Sequence, residues 1–81
     1  MVVFRYGKRK WPGRIMSIEG QDQVVISEMI WNRKIGGWVW PDYPKEFSYD
    51  RSEVLSVVIP EVIETRRAPA KGAYTIKEAD K

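Results

Sequence analysis

The chain has 81 residues, fourteen Lys and Arg against eleven Asp and Glu, a net charge of +3, and neither Cys nor His. A chain this short makes one small domain, which buries only roughly 60% of its unfolded surface. Disulfides and the usual zinc sites are excluded, so the core must be aliphatic and aromatic, drawing on four Trp, four Tyr and two Phe.

Val2 to Tyr6 reads as a short strand of β-branched and aromatic residues, broken at Gly7. The basic stretch Lys8-Arg9-Lys10 and the pair Trp11-Pro12 follow, and a second strand is expected from Arg14 to Ile18. Glu19 to Asp22 has turn composition. Gln23 to Trp31 is the longest strand candidate, with Val24, Ile26, Glu28 and Ile30 on one face and Val25, Ser27, Met29 and Trp31 on the other. Gly36-Gly37 signals a hairpin turn. Trp38-Val39-Trp40 is a very short strand, stopped by Pro41.

Residues 41–53 read as irregular, because Pro41 and Pro44 do not fit a central strand. Phe47 and Tyr49 are expected to fasten this segment to the core. Asp50-Arg51-Ser52-Glu53 has the composition of a capped helical turn, Asp50 accepting a backbone N–H two or three residues on. Val54 to Ile59 is the last strand, ended by Pro60. The expected fold is therefore all-β: a small five-stranded SH3-like barrel over residues 1–60, with a helical turn before the fifth strand. An OB-fold is the structural competitor. Residues 61–81 read as a linker and a flexible or helical tail, with a short helix over Glu61–Arg67 and only Tyr74 and Ile76 able to dock.

Charge is distributed unevenly. Arg5, Lys8, Arg9, Lys10 and Arg14 fall within the first fourteen residues, which hold no acid, and the middle of the chain is acidic. Such a basic hairpin suits phosphate contact, with a solvated turn as the competing reading. Arg33 and Lys34 of a neighbouring turn extend the same positive side. No metal-binding or catalytic constellation is present, so neither a cofactor nor an enzyme activity is expected. No apolar run approaches the ~18–20 residues of a membrane span, and the opening residues do not follow a signal-peptide pattern.

Trp11-Pro12-Gly13-Arg14-Ile15 resembles the Trp-Pro-Ala-Arg/Lys-Val core of PWWP domains. Val2 to Tyr6 fills the place of that family's first strand, and Gly7 to Lys10 that of its basic loop. The chain departs from the family motif where Arg9-Lys10 replaces its first Pro-Trp. Tudor and chromo-barrel domains, and integrase C-terminal barrels, are similar in size and character. The resemblance implies a chromatin-binding module that holds a methylated lysine or arginine in an aromatic cage, since a methylated ammonium is poorly hydrated and drawn to ring faces. The implied cage is Tyr6, Trp11 and Trp31, with Glu28 beside the cation. Trp11 takes its place from the motif, and Tyr6 and Trp31 take theirs from strand geometry. Trp38, Trp40, Tyr43 and Tyr49 are rival members, and for each Trp the competing reading is a place in the core.

The expected partners are nucleic acid, DNA ahead of RNA, a methylated histone tail, or both. The expected setting is intracellular, and nuclear in a eukaryote. A sequence-independent DNA- or RNA-binding barrel without a cage, and a plain protein-interaction barrel, are the alternatives. Oligomeric state is left open.

Overall fold

The computed structural model describes residues 1–63 and 72–79. They form two antiparallel sheets and one helical turn: β1 (Val2–Tyr6), β2 (Arg9–Glu19), β3 (Gln23–Glu28), β4 (Ile30–Asn32), β5 (Gly37–Val39), β6 (Glu46–Asp50), a 3-10 turn (Arg51–Glu53), β7 (Val54–Val57), β8 (Glu61–Val62) and β9 (Ala73–Thr75). The chain is all-β, as its pattern predicts.

The first sheet has the order β6-β3-β2-β1-β7. Laid flat, five strands would hold their two edges roughly 19 Å apart, at about 4.8 Å per step. Only the 3-10 turn joins edge strand β6 to edge strand β7, and a chain that short reaches at most about 14 Å. The sheet therefore rolls. Two register shifts help it bend: Met16 is the extra residue in β2, between Ile15 and Ser17, and Leu55 is the extra residue in β7, opposite the step from Val3 to Phe4. The turn itself is capped as expected: Asp50 accepts the Ser52 N–H at 3.0 Å and the Ser52 hydroxyl at 2.9 Å. These bonds hold its carboxyl below the usual carboxylate range, the backbone N–H contributing most.

The second sheet, β4-β5-β9-β8, departs from the expected layout. Its last two strands come from the segment read as a tail. Glu61 and Val62 are extended where a helix was expected, and pair with Thr75 and Tyr74. The Ile63 N–H donates to the Ala73 carbonyl at 2.8 Å, and residues 64–67 of that expected helix lie outside the described residues. Beyond β9, Ile76 and Ala79 are buried, so short apolar side chains in a polar sequence are enough to dock this segment. The expected strand over Gln23–Trp31 is also two strands, β3 and β4, separated at Met29. Residues 46–50, read as irregular, form β6, with Val24 opposite Tyr49 and Ile26 opposite Phe47. The prolines at 41 and 44 exclude strand only up to the point where they stand.

Two buried clusters make the core. Phe4, Val24 and Ile26 lie inside the rolled sheet. Val3, Met29, Trp38, Val58, Ile76 and Ala79 lie on the side facing the second sheet. Val3 and Phe4 are consecutive and point to opposite faces, so β1 is covered on both sides. Trp11 packs against both clusters.

The expected second strand began after Pro12-Gly13, yet β2 runs straight through them. The Pro12 carbonyl accepts the Met29 N–H at 3.1 Å. The ring nitrogen of Pro12 faces the same way, toward the end of β3. Gly13 is required by close packing: a Cβ there would stand 2.7 Å from the Ile26 side chain and 2.7 Å from the Ser27 carbonyl oxygen. Gly13→Ala should cost about 1–3 kcal/mol by overpacking. Urea denaturation checks this, and an unchanged midpoint would show that the strands have room to part.

Candidate nucleic-acid interface

The β1–β2 hairpin closes through Gly7-Lys8, between the paired residues Tyr6 and Arg9. Gly7 has φ 60 and Lys8 does not have positive φ, the arrangement of a type II′ turn, whose twist matches the flanking strands. The register then sets the charges. Arg5 stands directly opposite Lys10, two cations on one face, which destabilises a strand pair. Lys8, Arg9 and Lys10 are exposed. Together with Arg5, Gly7 and Leu55 they wall a cleft of about 250 Å³, with no carboxylate among its described lining residues. Glu53, half-buried, approaches the exposed Arg5 from the neighbouring side at 3.8 Å, too far for a hydrogen bond.

Arg14 is not part of this cleft. Its guanidinium lies over the Trp40 ring, 5.2 Å from the centroid, in a cation–π contact. The hairpin therefore gathers four of the five expected basic residues, and the fifth covers an aromatic ring.

The four expected cage residues are not gathered around one recess. Tyr6 and Trp11 rest on each other, centroids 5.5 Å apart and planes tilted by 35°, which leaves no slot between the rings for a cation. Trp11 is half-buried, and its indole Nε1 donates to the Met29 carbonyl at 2.8 Å. Its ring meets Trp38 nearly perpendicularly, centroids 4.8 Å apart. Trp31 also packs on Trp38, centroids 5.3 Å apart. Glu28 is buried, and its carboxylate accepts a hydrogen bond from the Tyr49 hydroxyl. The carboxylate expected beside a bound cation thus faces a phenol inside the sheet.

The sequence reading left Trp38 and Trp40 undecided. Trp38 and Val39 are both buried, because β5 is an inner strand whose two faces are covered. Trp40 lies past the end of β5 and is half-buried. The feature that sequence reasoning missed is a second recess, about 330 Å³, between Trp31, Trp38 and the residues after β9. Only Trp31 of the expected cage lines it. The signal was hidden because the other wall comes from a segment with no strand pattern.

Among the described residues there is no cluster of metal-ligating side chains, and no helix is long and apolar enough to cross a membrane. No family model, curated protein or solved structure matches this chain.

Burial, reinforced by the bond to Glu28, pushes the Tyr49 phenol well above its ordinary value near 10. A group whose titration is raised on folding favours the native state below its unfolded value. That contribution is lost as pH climbs toward the raised one. Tyr49→Phe should cost about 1–3 kcal/mol at neutral pH by leaving a buried carboxylate without its donor. It should also remove part of the fall in stability above pH ~10. Thermal unfolding of both proteins at neutral and alkaline pH tests this, and identical profiles would contradict it.

Proposed function

We propose that this domain is a non-catalytic nucleic-acid-binding module that holds a phosphodiester backbone on the β1–β2 hairpin. One observation carries the reading: Arg5 and Lys10, paired across the strands, join Lys8 and Arg9 around a cleft free of carboxylates among its described lining residues. Like charges so placed repel, and a bound phosphate relieves that repulsion while releasing its own counterions. The all-β fold, with the 3-10 turn just before β7, is compatible with the same reading. Contacts of this kind are largely blind to base sequence.

The methylated-peptide reading has less support, because Tyr6 and Trp11 rest on each other without a slot between them and the Glu28 carboxylate is turned inward to Tyr49. In this reading Trp11 is a structural residue first and a surface residue second.

The charge-reversal variant Lys8→Glu, Arg9→Glu, Lys10→Glu tests the proposal. Binding to duplex DNA, measured by fluorescence polarisation across a salt series, should weaken. The slope of log affinity against log salt should become shallower by about one for each phosphate contact removed. Unchanged affinity and slope would reject the hairpin as the contact surface.

A further inference from the structure

We propose that the free edge of β7 pairs antiparallel with the same edge of a second copy of this chain, making a weak, closed dimer. The inference does not depend on the nucleic-acid reading of the hairpin.

One chain segment borders both sheets. β7 is the last strand of the first sheet and β8 the last of the second, and only Val58, Ile59 and Pro60 separate them. On its inner side β7 is paired with β1, Val57 opposite Val2, and the Val58 N–H donates to the Met1 carbonyl at 2.9 Å. Backbone groups alternate in direction along an antiparallel strand. Those of Ser56 and Val58 therefore face β1, and those of Val57 and Ile59 face outward, where no described strand meets them. The side chains of this edge are bare as well. Val57 is 80% exposed and Ile59 94%, and further along Val62 is 65% exposed. An edge with unpaired backbone is a template for another strand, and native chains commonly guard it with a charge or a proline. From Val54 to Ile59 this edge has neither. Its guards are its shortness and the extra residue Leu55.

Three points select the occupant. First, the outward N–H and C=O groups are met only by the backbone of another extended strand, so a lipid or a small apolar ligand does not fit. Second, β7 is itself a strand of the required kind: uncharged, rich in β-branched residues, and with the same groups turned outward. Two copies running antiparallel satisfy each other about a twofold axis, which uses one patch on both and leaves neither β7 edge open, so growth stops at two. Each chain carries a net charge of +3, and an uncharged edge lets such copies meet without setting like charges against each other. Third, the area is sufficient for a reversible contact. With its backbone and flanking residues, a β7–β7 pair buries on the order of 1,000 Å² in total, the lower bound of a specific interface. Val57 also lies opposite Val2, at the end of β1 away from the Gly7-Lys8 turn, so the pairing leaves both basic hairpins in solvent.

Sedimentation velocity of the full chain over a concentration series tests this. The weight-average mass should rise from one chain toward two, with half-dimerisation between about 10 μM and 1 mM. The double variant Val57→Lys, Ile59→Lys should keep the far-UV circular dichroism of the wild type and stay at one chain throughout. Ile18→Lys, at an aliphatic residue exposed on β2, should still dimerise. Amide hydrogen exchange of the wild type reads the same edge without any substitution: Val57 and Ile59 should gain protection only in concentrated solution. A wild type that stays at one chain up to 1 mM would overturn the proposal. So would a dimer that survives the double variant, a mass that grows past two chains, or Val57 and Ile59 amides whose exchange ignores concentration.

Discussion

A proline in the middle of a sheet leaves a hole in the hydrogen-bond ladder, and in this protein the indole of the preceding residue fills it. Extending the β2–β3 register by one step beyond Gly13 and Glu28 brings Pro12 opposite Met29. The Met29 N–H reaches the Pro12 carbonyl, as a regular pair requires. The return bond would need a Pro12 N–H, which does not exist. The Met29 carbonyl is met instead by the Trp11 Nε1–H. Both backbone groups of Met29 are thereby held at the point where the chain leaves the first sheet and enters the second. The Trp-Pro pair is a structural device before it is a binding one, and it gives a physical reason for the two residues to be adjacent.

Much else follows from that joint. With Met29 anchored, β4 and β5 continue away from β3 and bring Trp38 against Trp11. The second sheet then closes over Val3, Met29 and Trp38. Tyr6, Trp11, Trp38 and Trp31 form a continuous file of ring contacts, each about 5 Å from the next. One end of the file lies beside the basic turn and the other forms the corner of the recess. The basic turn and the Trp31–Trp38 recess therefore stand on one file of packed rings whose buried member is Trp38.

The sequence made the first half of this structure legible. β-Branched and aromatic runs marked β1 and β3, Gly7 and Gly36-Gly37 marked the turns, and Asp50 marked the cap. The misread places share a cause: long-range pairing overrode a local signal. Pro12 argued against a strand until an indole replaced its missing donor. Residues 46–50 gained strand structure from β3, not from their own propensity. Ala73 to Ala79 looked too polar to bury, but Ala73, Ile76 and Ala79 suffice when a Trp-rich surface waits for them. The arrangement of the rings was hidden in the same way. Strand alternation places rings on faces, but cannot say that Trp38 comes between Trp11 and Trp31, or that Tyr49 reaches Glu28.

The central claim is that the Trp11 N–H stands in for the amide that Pro12 lacks, and a double-mutant cycle over these two residues measures it directly. Trp11→Phe alone leaves the Met29 carbonyl without its donor. Pro12→Ala restores a backbone N–H able to meet the same carbonyl. The account predicts that Trp11→Phe costs about 1 kcal/mol less in the Pro12→Ala background than in the wild type, by urea denaturation. Strictly additive effects would show that the two groups do not serve the same acceptor, and would contradict it.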